Sequence, residues 1–426
     1  LGEVLQHASL KDEKHATVAV ASAGSGRWTK WTTRDRPVPF AIESIGLTVE
    51  VATTIEALRE LEFDYQRLQI VTANTLPFAL HDWHVAWCEH FLEVNEHIYA
   101  QPMIHVVRNR EHACVAIVPF ILTRRAVGPV KLASLDLVGT DPAITEIRGP
   151  LVEAGYEARA AWAVQQSLAT ARLADWVQWS GASGAFGAAL GVGAKLRWQE
   201  PLLDYVLDLP RSWELLHAKL KRNIRESIRH CYNSLKRDSL EYKLQVAQHP
   251  DAVKDALERF FTLHSLRAHL TGTIKHSDCF ASAVARRFLR EVCERLAHRG
   301  VVRIFELAIG QEVVSSRIGF VVGNSLYLYY SGFQPRWSKY SVMTTTLVEA
   351  IKYAIAQGYS TVNFSPGKDV SKTRWDPREI QFPQATQLSP SWWSRQAWNL
   401  FRRAKSGALP QLALRKWARQ AKHQWI

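Results

Sequence analysis

Residues 326–375 read LYLYYSGFQPRWSKYSVMTTTLVEAIKYAIAQGYSTVNFSPGKDVSKTRW, and the order of elements in this stretch decides how the rest of the chain is read. Tyr327, Tyr329 and Phe333 fall on one face of an alternating strand, with Leu328 and Tyr330 on the other. A short basic loop, Pro335–Ser341, leads into a helix expected over 344–357, with Leu347, Ile351 and Ile355 along one side. STVNFS, residues 360–365, is a second strand, and a Gly367-Lys-Asp turn follows it. A helix N-terminus beside a strand end offers unpaired backbone N–H groups and a partial positive charge. With Arg336 and Lys339 close by, such a place suits a pyrophosphate.

Working outward, the same order of elements occurs twice. From Leu202 the pattern gives the strand DYVLDL, a long basic helix over 213–237, the strand EYKLQVAQ, and helices over 250–267 and 279–299. The antiparallel pair VVRIFELAIG and QEVVSSRIGFVVG then leads to the opening stretch, with STVNFS as the last strand. From Leu47 the first half runs in parallel: LTVEVA, helices over 55–68 and at HDWHVAWCEHFLEV, strands MIHVVRNR and ACVAIVPFILTRR, a strand over 132–138, a helix over 157–173, and ADWVQWS. The expected fold is mixed α/β (α+β), an internal duplication of two lobes, each a mostly antiparallel sheet flanked by helices. The expected boundaries are a flexible leader over 1–46, lobes over 47–200 and 201–388, and a basic Trp-rich tail over 389–426.

With 426 residues, 47% hydrophobic and 22% charged, the chain can bury two cores of ordinary size. No apolar run reaches the length of a membrane span and no secretory pattern opens the chain, so a cytoplasmic location is expected. The five cysteines are scattered without a C-x-x-C, which argues against a disulfide framework or a zinc site. A net charge of +13 implies an anionic partner. Residues 390–426 contain no Asp or Glu and carry five Trp among their Arg and Lys. That composition suits either peripheral contact with anionic lipid at an inner membrane surface or packing back on the protein.

Several groups could carry chemistry. Glu306 and Glu312, on the hairpin about Gly310, are candidate general bases. Asp369 and Lys372 lie three apart, able to share one helical face, pair with each other or meet substrate. Arg222 and Arg225 belong to a basic stripe beside the apolar seam Leu220, Ile224, Ile228, Cys231 and Leu235, a rim able to attract an anionic acceptor. His81 and His84 lack a third ligand at a metal-binding spacing. The Gly-rich run 181–193 matches no phosphate-loop pattern and reads as a small-residue helix or a connection.

YSGFQPRWSKYS (330–341), the strand GYSTVNF (358–364) and FSPGKDVSKTRW (364–375) together resemble the acyl-CoA-binding core of the GNAT superfamily. They are most similar to the two-lobed CelD/BcsL-type acetyltransferases, which are related to the Fem aminoacyl ligases. Pro77-Phe78, Trp83, Trp87 and the strand AIVPF at 116–120 extend the resemblance over roughly 49–386. The loop departs from the family's Arg/Gln-x-x-Gly-x-Gly/Ala pattern, because Lys339, Val342 and Thr344 occupy its defining positions and Met343 stands where many members of this branch keep Gly.

The resemblance implies an N- or O-acyltransferase taking acetyl-CoA or another acyl-CoA as donor, with no metal, and a saccharide or cell-envelope precursor as acceptor. It implies that Tyr330, Arg336, Lys339, Tyr340, Ser341, Val342, Met343 and Thr344 hold the CoA. It also implies catalytic roles for Asp369 and Lys372, with Trp83 and Trp375 at the substrate. Two alternatives stand beside it: a Fem-like transferase using aminoacyl-tRNA, and a non-catalytic scaffold for an anionic glycan or lipid.

Overall fold

The computed structural model describes residues 40–42, 46–127, 130–140, 143–181, 184–193, 195–270 and 276–405. All of them lie in the compact unit 37–426; the other unit, 1–36, and the tail beyond 405 lie outside the described residues. Fourteen strands form one sheet: β1 Phe40–Ile42, β2 Leu47–Ala52, β3 Ile98–Arg108, β4 Cys114–Val127, β5 Val130–Leu137, β6 Leu151–Val152, β7 Trp176–Trp179, β8 Leu196–Asp208, β9 Tyr242–Ala247, β10 Val302–Ile309, β11 Glu312–Val322, β12 Ser325–Phe333, β13 Thr361–Asn363 and β14 Arg378–Leu388. The helices are α1 Ile55–Glu60, α2 Glu62–Val71, α3 His81–Phe91, α4 Glu157–Ala171, α5 Gly184–Gly193, α6 Trp213–Lys219, α7 Arg222–Arg237, α8 Pro250–Ala268, α9 Ala283–His298, α10 Val342–Ala356, α11 Val370–Thr373 and α12 Trp392–Lys405.

The sheet runs β1-β2-β3-β4-β5-β7-β14-β8-β13-β12-β11-β10-β9, with β6 on β4. Its two halves repeat one plan: an antiparallel run, a helix, then a strand added in parallel. β5 and β7 are the parallel pair of the first half, and β12 and β13 that of the second. A crossover helix is what such parallel additions require, and α4 and α10 supply it. The two halves are joined by β8 and β14, which pair antiparallel over most of their length. β14, the last strand, also pairs with β7, so the end of the chain closes the seam.

β14 is an element the sequence pattern missed, and STVNFS is not the final strand. Pro383 disguises β14, since proline cannot donate to a ladder; it sits at the register shift between Phe382 and Gln384, where the missing N–H is tolerated. The expected helix over 213–237 is two helices. Leu220 turns extended (φ −66°, ψ 143°), which lets Leu216 and Leu220 both bury before α7 begins.

Two cores flank the second half of the sheet. On one face Tyr327, Tyr329, Ile318 and Phe320 meet α3, α8 and α9 through Trp83, Phe260, Phe261 and Phe288. On the other, Leu326, Leu328 and Val362 meet α7 and α10 through Ile224, Ile228, Leu347 and Ile351. The amphipathic α12 lays Ala397 and Phe401 on Trp176 and Leu132, leaving Trp392 and Trp393 exposed. Among the described residues no helix is long and apolar enough to cross a membrane.

Helix α8 and strand β12 approach closely at Gly332, where a Cβ would stand 2.3 Å from the His264 amide nitrogen and 2.4 Å from the Leu263 carbonyl carbon. Both atoms are backbone, so nothing flexible can yield. Gly332→Ala is expected to cost about 2 kcal/mol or more by pushing β12 off α8, read as a lowered urea midpoint with an unchanged slope.

Candidate functional site

The parallel pair β12–β13 is short. It pairs only over Ser325–Tyr327 with Thr361–Asn363, after which β12 runs on to Phe333 paired with β11 alone. A bulge lies just past this point: Arg317 faces Ser331 and Gly319 faces Leu328, leaving Ile318 opposite both Tyr329 and Tyr330. A bulge bends its strand and sharpens its twist, so β12 swings away from β13 and opens a gap in the sheet.

A segment of the first half borders this gap. The Tyr327 hydroxyl donates to Glu146 Oε2 at 2.8 Å, the Tyr329 hydroxyl to the Ile144 carbonyl at 2.5 Å, and the Tyr330 hydroxyl to the Ala143 carbonyl. Trp83 Nε1 donates to Thr145 Oγ1 at 3.1 Å, which holds the segment from the other side.

Charged groups collect here. Burial raises the Glu146 carboxyl to about 7, against the opposing pull of the Tyr327 hydroxyl and the Lys372 ammonium. Asp204 on β8 is fully buried, and Asn363 Nδ2 donates to its Oδ2 at 2.7 Å. Burial raises its carboxyl to about 6. Asp204 and Asn363 line a cavity of about 310 Å³ that also touches Asn74 and Thr75 of the first half. The Lys372 ammonium donates to the carbonyls of Ser365 at 3.1 Å and Pro366 at 2.7 Å, and burial lowers its pKa. Arg267 on α8 and Arg317 on β11 both reach the Ser331 hydroxyl, at 3.0 and 3.4 Å.

At the N-terminus of α10, Ser341 holds a left-handed backbone (φ 52°), a conformation glycine adopts without strain. The Ser341 amide donates to the Ser338 carbonyl and the Thr344 amide to the Ser341 carbonyl. This leaves Val342 and Met343 in the first turn, where amides have no intrahelical acceptor. Val342 is buried, whereas Met343 and Thr344 are half-buried. Among the described residues Thr345 Oγ1 and Arg374 Nε are buried beside this turn without hydrogen-bond partners, and Cys231 of α7 lies next to Ser341, Arg374 and Thr345.

The structure redistributes the residues singled out in the sequence. Glu306 is buried in a two-bond ion pair with Arg259, both at 2.7 Å, and is not a free base. Glu312 accepts from Arg336 at 2.5 Å and from Trp337 Nε1 at 3.0 Å; it ties the 335–340 loop to β11 and is not a base either. Arg336 is thereby paired with Glu312 while its side chain remains exposed. Tyr340 is buried, donating to Asp238 Oδ2 at 2.8 Å, and the exposed Lys339 lies over its ring at 4.7 Å. Trp83 is fully buried among Phe78, Phe288, Phe320 and Tyr329, and Trp375 is fully buried against Phe364; both are core residues no substrate reaches.

Arg222 pairs with Glu226 at 2.6 Å. With Arg225 it sits at the start of α7, about 20 Å from the Asp238 end that meets Tyr340. Asp369 caps α11, accepting from the Ser371 amide at 2.6 Å, and Lys372 turns to backbone carbonyls rather than to Asp369. His81 and His84 are satisfied core histidines, bonded to the Leu58 carbonyl and the Tyr65 hydroxyl.

Glu146, Asp204, Arg267 and Arg317 were not singled out. Asp204 and Arg317 carried a signal, a charge inside an otherwise strand-like run. Glu146, in a loop, carried none.

Residues 221–373 match the model of the acetyltransferase (GNAT) domain family. Among solved structures, FemX is 10% identical, covering 79% of this chain and 98% of its own, with a TM-score of 0.53. L-PGS from Bacillus licheniformis is 11% identical over 80% of this chain and 95% of its own, TM-score 0.46. A tandem GNAT protein from the clavulanic acid biosynthesis pathway is 13% identical over 80% of this chain and 99% of its own, TM-score 0.42. No curated protein sequence matches the chain.

The raised carboxyl of Asp204 has a signed consequence. Between its unfolded value of 3.8 and about 6 the native state binds more protons than the unfolded state, so stability falls as pH rises through that window. The penalty is complete above pH 6. Asp204→Asn is expected to stabilise the protein at pH 7.5 by up to about 3 kcal/mol, with the gap narrowing toward pH 4.5. Urea denaturation at the two pH values checks it.

Proposed function

We propose that this chain, which belongs to the GNAT superfamily through its acetyltransferase domain at residues 221–373, transfers an acyl group from acyl-CoA directly to an amine or hydroxyl. The observation that carries the reading is the gap between β12 and β13, which has the α10 N-terminus following β12 and a carboxyl poised near neutral pH beside it. Acyl-CoA supplies a thioester. The amides of Val342 and Met343, with Thr345 Oγ1 and Arg374 beside them, suit its pyrophosphate. The acyl end then lies along β12 past Tyr327.

Glu146 takes the part of general base. The acceptor's nitrogen or oxygen lone pair attacks the thioester carbonyl carbon, the new bond to carbon forms, and the C–S bond breaks. The proton lost by the acceptor goes to Glu146, and the departing thiolate takes a proton to leave as free CoA. A base titrating near 7 matches this task at neutral pH. The Tyr327 hydroxyl fixes the carboxylate's orientation, and the Lys372 ammonium offsets its charge. The two halves act together in this reading: the second binds the donor and the first contributes the base.

An acceptor from the saccharide or envelope-precursor class rests on the resemblance to CelD/BcsL-type enzymes. The exposed Trp392 and Trp393, beside Arg395 and Arg402, suit peripheral contact with an anionic membrane near such acceptors. The net charge of +13 favours a second reading, aminoacyl-tRNA as donor.

Acetyl-CoA is expected to raise the melting temperature by several degrees at saturation, and Lys339→Glu to reduce that shift. Salt-sensitive tRNA binding with no response to acetyl-CoA would replace the first reading with the second. In a turnover assay over a panel of amine and sugar acceptors, kcat/KM should rise through about pH 7. Glu146→Gln should lower it roughly 100-fold or more and flatten the profile. An unaltered profile in that variant removes Glu146 from the mechanism.

A further inference from the structure

Ion pairing is unevenly distributed among the described residues. Many cations find carboxylates, both exposed and buried: Arg59 with Glu89 at 2.5 Å, Arg290 with Glu258 at 2.6 Å, Arg108 with Asp64 at 2.7 Å and Arg259 with the buried Glu306 at 2.7 Å. Around Ser331, where β12 has parted from β13, they do not. Arg267 bonds the Ser331 carbonyl at 3.3 Å, its hydroxyl at 3.0 Å and the His276 ring at 3.0 Å. Among the described residues Arg317 reaches the Ser331 hydroxyl alone, at 3.4 Å, and its buried Nε has no partner. Among the described residues neither guanidinium is ion-paired; Asp369 is the nearest source of opposing charge for Arg267.

Two half-buried guanidiniums sharing one hydroxyl is a costly arrangement. Desolvation followed by the proximity of Arg267 pulls Arg317 down to about 10; Lys372, itself opposed by Glu146, Asp204 and Asp369, lies nearby. The groups facing the pair are Ser331 from β12, His264 and Arg267 from α8, His276 from the following loop, and Lys372 with Asp369 from the turn after β13. A bound anion would relieve this excess, and paired guanidinium forks match the planar oxygens of a carboxylate or the oxygens of a phosphate.

We propose that Arg267 and Arg317, on either side of Ser331, form a binding site for a carboxylate or phosphate group carried by the acyl acceptor. Assigning the anion to the acceptor rests on the acyltransferase reading; the anion site itself does not. The side of approach supports the assignment. Arg267 comes from α8, whose core lies on the sheet face of Tyr327 and Tyr329. The helix whose N-terminus suits the donor's pyrophosphate, α10, packs on the opposite face with Leu326 and Leu328. The acceptor of this enzyme would therefore be an anionic small molecule, such as a uronic acid, a sugar phosphate or an acidic peptide end.

Thermal shift and calorimetry on the whole chain in low-salt buffer test this, with inorganic phosphate and acetate as separate probes that distinguish the two anion chemistries. At least one probe should raise the melting temperature. Arg317→Gln and Arg267→Gln should each weaken that response tenfold or more, and Arg317→Lys, which keeps the charge and the fold but loses the fork, should fall between. Saturating acetyl-CoA should leave the anion response in place. Indifference of the wild type to both probes, or a wild-type response in Arg317→Gln, overturns the site. Loss of the response on adding acetyl-CoA assigns the arginines to the donor and overturns the acceptor claim. If acetyl-CoA itself does not bind, the donor reading fails while the anion titrations still judge the arginines.

Discussion

The parting of β12 from β13 after Tyr327 is the constraint on which the rest of the site depends. Three paired residues hold two parallel strands together, and a bulge at Tyr329–Tyr330 turns β12 aside. A parting of strands inside a sheet strands backbone and side-chain polar groups away from water, and these must be satisfied or left for a ligand. Three tyrosine hydroxyls satisfy one side of the gap by bonding the 143–146 segment of the first half. The other side is bordered by Lys372 and by the turn after β13.

This explains why the duplication matters. Each half contains a parallel pair, yet the titrating carboxyl at the second pair comes from the first half. The seam of β8 and β14 makes that exchange rigid, because β14 is bonded to β7 on one side and β8 on the other. Trp83, buried in the core, holds the segment that carries Glu146 through its bond to Thr145. Its burial among four aromatic rings makes it a positioning residue in the core.

The distribution of charge follows from the same geometry. Helix surfaces can pair their own charges at i, i+4, as Arg222 does with Glu226. Groups brought to the gap come from α8, β11, α11 and a loop, with no such local partner on their own elements. They meet there because tertiary structure assembles them, and among the described residues Arg267 and Arg317 find no ion-pair partner.

Much of the architecture was legible in the chain. Period-2 and period-3.6 patterning marked the repeated order of elements, the mixed α/β class and the α10 N-terminus, since these depend on neighbours within a few residues. The same local view favoured Glu306 and Glu312, because a carboxylate on a strand shows nothing of Arg259 or Arg336 waiting to pair with it. β14 was concealed by Pro383, whose missing donor matters only once the bulge is known. The residues of the site itself were beyond reach: Glu146 and Tyr327 stand 181 positions apart, and Asp204 and Asn363 159 apart. Sequence alone determined the elements and their order, because hydrophobic periodicity is a property of each segment. Tertiary structure decided which charges meet and what burial does to them, because desolvation and Coulomb interaction depend on distance in space rather than distance along the chain.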